Sequence, residues 1–172
     1  RETGPKEILS LNIGAEPSLL NPILSTDTAS SAVEGLIFNG LMKVDEDLKM
    51  IPDLAESYTM ENDGKDYIFT LKQGVKWHDG KPFSADDVIF TFKTLMDPKT
   101  NTVRRSSYYI DGKPIVFKKL GPYRVKVSLP SPFAPFLIHM GTSILPKHLL
   151  ENEDINKSSF NRNPIGTGPF VF

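Results

Sequence analysis

The residues best equipped for chemistry sit close together. Between Gly74 and Phe92 the chain reads GVKWHDGKPFSADDVIFTF, which sets His78 beside Asp79 and adds Asp86 and Asp87 shortly after. One imidazole and three carboxylates at such spacing are the raw material of a metal site or a general acid–base pair. Their neighbours give each of them another occupation. Asp79-Gly80 is a turn dipeptide, and Pro82 lacks the N–H that regular strand pairing would need. Ser84 opens an S-x-x-D pattern, with Asp87 in the capping-box position usually held by Glu or Gln. Asp86 and Asp87 then fall in a first helical turn, where the helix dipole favours anions. The pattern predicts turn and helix-start roles for these acids rather than catalysis.

Elsewhere the sequence offers little to a reaction. His139 and His148 are the remaining histidines, and no HExxH or comparable ligand spacing joins them. His139 lies in an apolar stretch and reads as a packed side chain. GTGPF near the end is glycine-rich but lacks the Lys-Ser/Thr of a phosphate loop, and no GxSxG is present. The chain has no cysteine, which removes disulfides, thiolate nucleophiles and Cys-ligated zinc. Neither a catalytic residue, a metal site nor a cofactor is expected. With Lys plus Arg at 20 and Asp plus Glu at 21, the net charge of −1 gives no reason to expect a nucleic-acid partner. The Lys and Arg residues between Arg104 and Lys126 interleave with aromatics but read as solvated strand faces. Two classes stay open on the residues alone: a ligand-binding module, or a non-catalytic fragment of an enzyme whose active residues lie past residue 172.

The elements that position these residues alternate helix and strand. Glu7–Gly14 is a short apolar run closed by glycine, a buried strand in expectation. Thr26, Asp27 and Thr28 are N-cap types for a helix carrying Val33, Leu36 and Ile37, with Gly40 as its stop. Asp63-Gly64 turns a hairpin whose second strand puts Tyr67, Phe69 and Leu71 on one face. Val88, Ile89, Phe92, Leu95 and Met96 follow Ser84 at helical spacing, and Asp97-Pro98 ends that helix. Two strands meet around Gly121-Pro122, with Tyr123, Val125, Val127 and Leu129 sharing a face. SPFAPFLIHMG reads as a short helix, Pro146 opens another through Leu150, and ENEDINKSSFNRN reads as polar linker. The polar start RETGPKE looks like a trimmed mature end. The apolar end, Phe170-Val171-Phe172, has strand character, so the chain reads as a piece of something longer.

The order of these motifs is more specific than any one of them. GAEPSLLNP is followed by EGLIFNGLMKVDEDLKMIPDLAESYTMENDGKDYIFTLKQGVKWHDGKPFSADDVIFTFKTLMDP. Then come GPYRVKVSLPSPFAPFL, ILPKHLL and NPIGTGPFVF. From about Leu9 to Phe172 the succession resembles the N-terminal part of the family 5 extracellular solute-binding proteins, the oligopeptide, dipeptide and nickel receptors of bacterial ABC importers. The resemblance implies an α/β chain with a small α+β subdomain, the N-terminal portion of a type II periplasmic-binding-protein-like fold. It implies residues 1–38 as the first segment of lobe I, 39–161 as the small subdomain and 162–172 as the return strand to lobe I. The remainder of lobe I and the second lobe would be absent. The stretch from Val75 to Phe90 would be a structural signature of the small subdomain.

The resemblance also implies a role: capture of peptide-like solutes outside the cytoplasmic membrane and delivery to the transmembrane subunits of an ABC permease. A nickel chelate or an oligosaccharide is the alternative ligand. The place implied is the periplasm, or the cell surface if the full-length precursor carries a lipid anchor. The loop after Asn21-Pro22 matches the family's cleft-facing segment, which makes Ser25, Thr26, Asp27 and Thr28 candidate ligand contacts; Thr26 to Thr28 serve equally well as helix caps alone. Gly166, Thr167 and Gly168 approach the cleft in the family, and their glycines permit close backbone approach or a plain turn. Tyr108 and Tyr109 are further candidates on a looser match.

Overall fold

The structure, a computed structural model, describes Ile8, Ser10 and residues 12–172. The strand expected over Glu7–Gly14 depends on Glu7, Leu9 and Leu11, which lie outside the described residues. The first helix, α1 (Thr28–Ile37), starts where its cap dictates. Asp27 is extended, and its carboxylate accepts the Ser30 N–H at 2.7 Å, the Ser30 hydroxyl at 2.7 Å and the Ser18 hydroxyl at 2.5 Å. These bonds occupy an N–H that the helix cannot satisfy internally. The helix does not run on to Gly40. The Phe38 N–H closes on the Glu34 carbonyl at 2.9 Å, and the Phe38 backbone then turns extended. Gly40 serves a close approach instead. A Cβ there would lie 2.6 Å from the Gly141 carbonyl oxygen, so the two backbones touch only without one. The buried face of α1 is also more polar than its apolar spacing suggests. Ala29, Ser30, Glu34 and Ile37 are buried, whereas Val33 and Leu36 are only partly so.

Two short strands follow, β1 (Met42–Val44) and β2 (Met50–Pro52), paired antiparallel. The main sheet uses β3 (Ala55–Glu61), β4 (Asp66–Leu71), β7 (Val116–Gly121) and β8 (Arg124–Ser128) in the order β3-β4-β8-β7, all antiparallel. Gly64 turns the β3–β4 hairpin at φ 82°. As the alternation requires, Tyr67, Phe69, Leu71, Val125 and Val127 fill one face and are buried. Lys118 and Lys126 face each other on the opposite side, where Lys126 pairs with Asp66 at 3.0 Å.

Helix α2 (Ala85–Met96) lies against β7 and β8. Phe92 stacks on Phe117 with centroids 4.1 Å apart and planes 7° from parallel. Its capping box is complete. Ser84 Oγ accepts the Asp86 N–H at 3.2 Å, and the Asp87 carboxylate accepts the Ser84 N–H at 2.9 Å. A second short pair, β5 (Tyr109–Ile110) and β6 (Lys113–Pro114), projects between α2 and β7 in sequence. The helix in SPFAPFLIHMG shrinks to one turn, α3 (Phe136–His139), which begins only after Pro135 at its cap. A last turn, α4 (Lys147–Leu150), follows Pro146.

Two expectations for the end of the chain are corrected. Residues 151–163 are not a solvated linker, because Ile155, Phe160 and Asn161 are buried and Phe160 packs on Phe38. Residues 162–172 form no strand. Pro164 and Pro169 have no N–H to give, while the N–H groups of Gly168 and Phe170 go to the Ile37 and Leu36 carbonyls, a helix end rather than a strand edge.

Candidate functional site: a groove along the first helix

The four residues of the opening stretch point to four separate partners. The His78 N–H donates to the Gly166 carbonyl at 2.9 Å, and His78 Nδ1 accepts the Gly166 N–H at 3.3 Å. The proton therefore sits on Nε2, which donates to the Gly168 carbonyl at 2.8 Å. Asp79 meets His148 Nε2 at 2.6 Å. Burial pushes the Asp79 carboxyl up, but the His148 bond and the Lys81 N–H outweigh it and leave it below its ordinary range. Asp86 pairs with Lys119 at 2.7 Å. Asp87 is buried, which raises its pKa, and it accepts the N–H groups of Ser84 and Lys147. Among the described residues no three His, Asp or Glu side chains gather as metal ligands would.

The expected ligand contacts divide between the two ends of α1. Ser25, Thr26, Asp27 and Thr28 stand at its start. Ser25 is buried, with its hydroxyl donated to Glu34 at 2.8 Å; Thr26 and Thr28 are exposed; Asp27 is the cap. The three bonds from Ser18 and Ser30, Ser18 foremost, hold Asp27 down at a pKa of about 2. Gly166, Thr167 and Gly168 stand at the other end. A Cβ on Gly166 would lie 1.9 Å from the Ile37 carbonyl oxygen, and one on Gly168 would lie 2.6 Å from the same group. The backbone that these glycines approach closely is that of α1. Thr167 donates to Asn39 at 3.0 Å. Ten helical residues put the two groups roughly 15 Å apart, a span that about four or five extended residues would cover.

Tyr108 does not face solvent. It is 1% exposed, its hydroxyl is shared with Thr142 and the His139 carbonyl, and burial pushes its pKa to about 12. It is a core residue, because its ring packs beside Phe92. Tyr109 is the exposed one of the two, on β5.

Between the two ends runs a groove of about 760 Å³. One wall is a stripe of Ser31, Glu34 and Gly35 on α1, continued by Phe38 just past its end. Asn39, Lys43 and Asp53 continue it, and Arg104 and His139 face it from the segments around α2 and α3. Lys43 is paired with Asp53 at 3.6 Å. Arg104 makes no ion pair within 4 Å among the described residues; its Nη2 reaches the Ser25 carbonyl over 3.4 Å, and its buried Nε has no partner. His139 stacks on Phe133, and burial lowers its pKa, so its imidazole is neutral at neutral pH. Glu34 and Arg104 escape sequence reasoning. A lone acid within a helical pattern and one member of a basic pair look like ordinary surface residues until the fold buries Glu34 and the Nε of Arg104.

Residues 49–172 match the family model for bacterial extracellular solute-binding proteins, family 5, middle region. The chain belongs to this family. Oligopeptide-binding protein AppA of Bacillus subtilis is 39% identical over 163 residues, which cover 91% of this chain and 30% of that one. Glutathione-binding protein GsiB of Salmonella typhimurium is 34% identical over 163 residues, which cover 92% and 30% of the two chains. Among solved structures, NikZ of Campylobacter jejuni in complex with Ni(L-His) superposes with a TM-score of 0.82 at 42% identity, over 92% of this chain and 31% of that one. AppA of B. subtilis with a nonapeptide gives 0.85 at 37%, over 92% and 32%. The chain thus spans about a third of the length of the family 5 relatives it matches. The family is one of binding proteins, and the mixed helix-and-sheet architecture is that of its periplasmic binding-protein structures.

Proposed function

We propose that this chain forms one wall of the solute cleft in the substrate-binding component of an ABC importer. The component captures peptide-like solutes outside the cytoplasmic membrane, in the periplasm or anchored by lipid at the cell surface, and passes them to the permease subunits. The observation that carries this reading is the groove along α1, where Arg104, in no ion pair within 4 Å among the described residues, stands beside the loop of Ser25 to Thr28. An extended peptide brings an acidic terminus for that cation and main-chain groups for Thr26, Thr28 and Asn39. Residues 1–38 and 162–172 then belong to one lobe and residues 39–161 to a small subdomain set into it. The Gly168 and Phe170 N–H groups, which donate to the Ile37 and Leu36 carbonyls, support that division. The groove's neutral His139 favours a second ligand, a nickel chelate, for which an imidazole is a natural ligand.

The test is calorimetric titration of a receptor of the relatives' full length carrying this chain, with di- to pentapeptides and with Ni(L-His). Binding of a peptide at about micromolar strength, roughly 8 kcal/mol, is expected, together with a loss of about tenfold or more in Arg104→Ala. The isolated chain is expected to bind no tighter than about millimolar, since half a cleft leaves its ligand wet on one side. Failure of every probe on the full-length receptor would overturn the reading.

A further inference from the structure

Among the described residues, two buried polar atoms of opposite sign are left without partners where Arg104 faces the α1 wall of the groove. Glu34 is 4% exposed; its Oε2 accepts the Ser25 hydroxyl at 2.8 Å, and its Oε1 accepts nothing from the described residues. Arg104 Nε is likewise buried and unpaired, and the two side chains come no closer than an ion pair's 4 Å limit. The backbone carbonyl of Ser25 receives Arg104 Nη2 while the Ser25 hydroxyl serves Glu34, so one residue holds both groups in place. Buried polar atoms are almost always paired, so two such atoms of opposite charge beside one groove call for an explanation.

We propose, building on the peptide-solute reading above, that Glu34 is a proton-linked counter-ion: Arg104 turns from it to the acidic group of the solute, and Glu34 then takes up one proton from solvent. Charge balances at each stage. Before binding, the Glu34 carboxylate and the Arg104 guanidinium compensate each other across the gap. Afterwards the guanidinium compensates the solute carboxylate, and Glu34, without a cation in a buried position, becomes neutral. Burial raises the Glu34 pKa; the Ser25 hydroxyl and the Arg104 charge pull it back down, and Asp27 pushes it up. Removing the Arg104 contribution leaves burial and Asp27 to act against the Ser25 bond alone. The remaining charges at the groove, Lys43 and Asp53, are already paired with each other, and His139 is neutral, so none of them replaces Arg104. Acidic solutes would therefore bind more weakly as pH rises, by up to about tenfold per unit, the slope of one linked proton.

The experiment is calorimetry on the full-length receptor with trialanine, its C-terminal amide and glutathione, in buffers of different ionisation heat. Expected are uptake of close to one proton with trialanine and glutathione, none with the amide, and an amide affinity at least about tenfold lower. In Glu34→Gln, trialanine binding should lose its proton uptake and its pH profile should flatten, and a thermal melt checks that the variant folds. Proton uptake that persists in Glu34→Gln, or equal binding of acid and amide with no uptake in the unaltered protein, would overturn the proposal while leaving the solute-receptor reading intact. Absence of binding by all three probes would overturn the proposal, and failure of the di- to pentapeptides and Ni(L-His) as well would overturn the solute-receptor reading.

Discussion

His78 Nε2 lies 2.8 Å from the Gly168 carbonyl, 90 residues further along the chain, while Nδ1 of the same ring accepts the Gly166 N–H. A ring that could have held a metal instead clamps the segment between Gly166 and Gly168 against the end of α1. His78→Ala removes two hydrogen bonds of about 0.5–1.5 kcal/mol each, so a loss of roughly 1–3 kcal/mol is expected. The sharper readout is amide hydrogen exchange. The Gly166 N–H should exchange much faster in the variant, and protection that did not change would refute the clamp.

The glycines of the first helix and of its clamp should respond in opposite directions. Gly35 is helical, and a Cβ on it would meet nothing within 4 Å. Gly35→Ala should stabilise the chain by about 0.5–1 kcal/mol. Gly168→Ala would press a methyl to 2.6 Å from the backbone of Leu36 and Ile37 and should cost about 1–3 kcal/mol. Chemical denaturation of the two variants side by side decides this; equal midpoints would mean the approach is looser than described.

At the start of α2 the two halves of the capping box are unequal. Ser84→Ala loses one capping bond and should cost about 0.5–2 kcal/mol. Asp87→Ala strands both the Ser84 N–H and the Lys147 N–H, which ties α4 to α2, and should cost about 3 kcal/mol or more. If denaturation midpoints ranked the two variants the other way, the tie to α4 would carry no weight.

The cap of α1 gives a pH dependence with a definite sign. Asp27 has a folded pKa of about 2 against an unfolded value near ~3.9. Its stabilising effect is complete above the unfolded value and is lost as pH falls through the folded one. Nuclear magnetic resonance should show the Ser30 amide shifting with a midpoint near pH 2. Asp27→Asn should lack the transition, and a midpoint near ~4 would mean the cap is absent in solution.

What could be read in the chain beforehand follows from how local each signal is. Ser84, Asp87 and Asp97-Pro98 mark the ends of α2 through interactions within a few residues, and Tyr67, Phe69 and Leu71 show their shared face by alternation. The β1–β2 pair has no such mark, because its turn uses Leu48 at φ 61° instead of a glycine. Asp111-Gly112 does carry a turn signal, but strands of two residues are too short to alternate. Ile155 and Phe160 sit among polar neighbours and only the fold buries them. The same holds at the groove. Thr26 and Thr28 come to notice through resemblance, whereas Glu34 and Arg104 acquire meaning from partners that no spacing in the sequence announces.

The carbonyls of Leu36 and Ile37 accept the N–H groups of Phe170 and Gly168, and Asn21 is clipped to Asn161 across 140 positions. Translation at about 5–20 residues per second delivers those donors on the order of ten seconds after the helix itself has left the ribosome. For that interval the last turn of α1 can only fray, and the earliest-made element is among the last to be finished. The sheet β3-β4-β8-β7 has shorter loops to close, so it is expected to assemble first and serve as the template on which both chain ends are later laid.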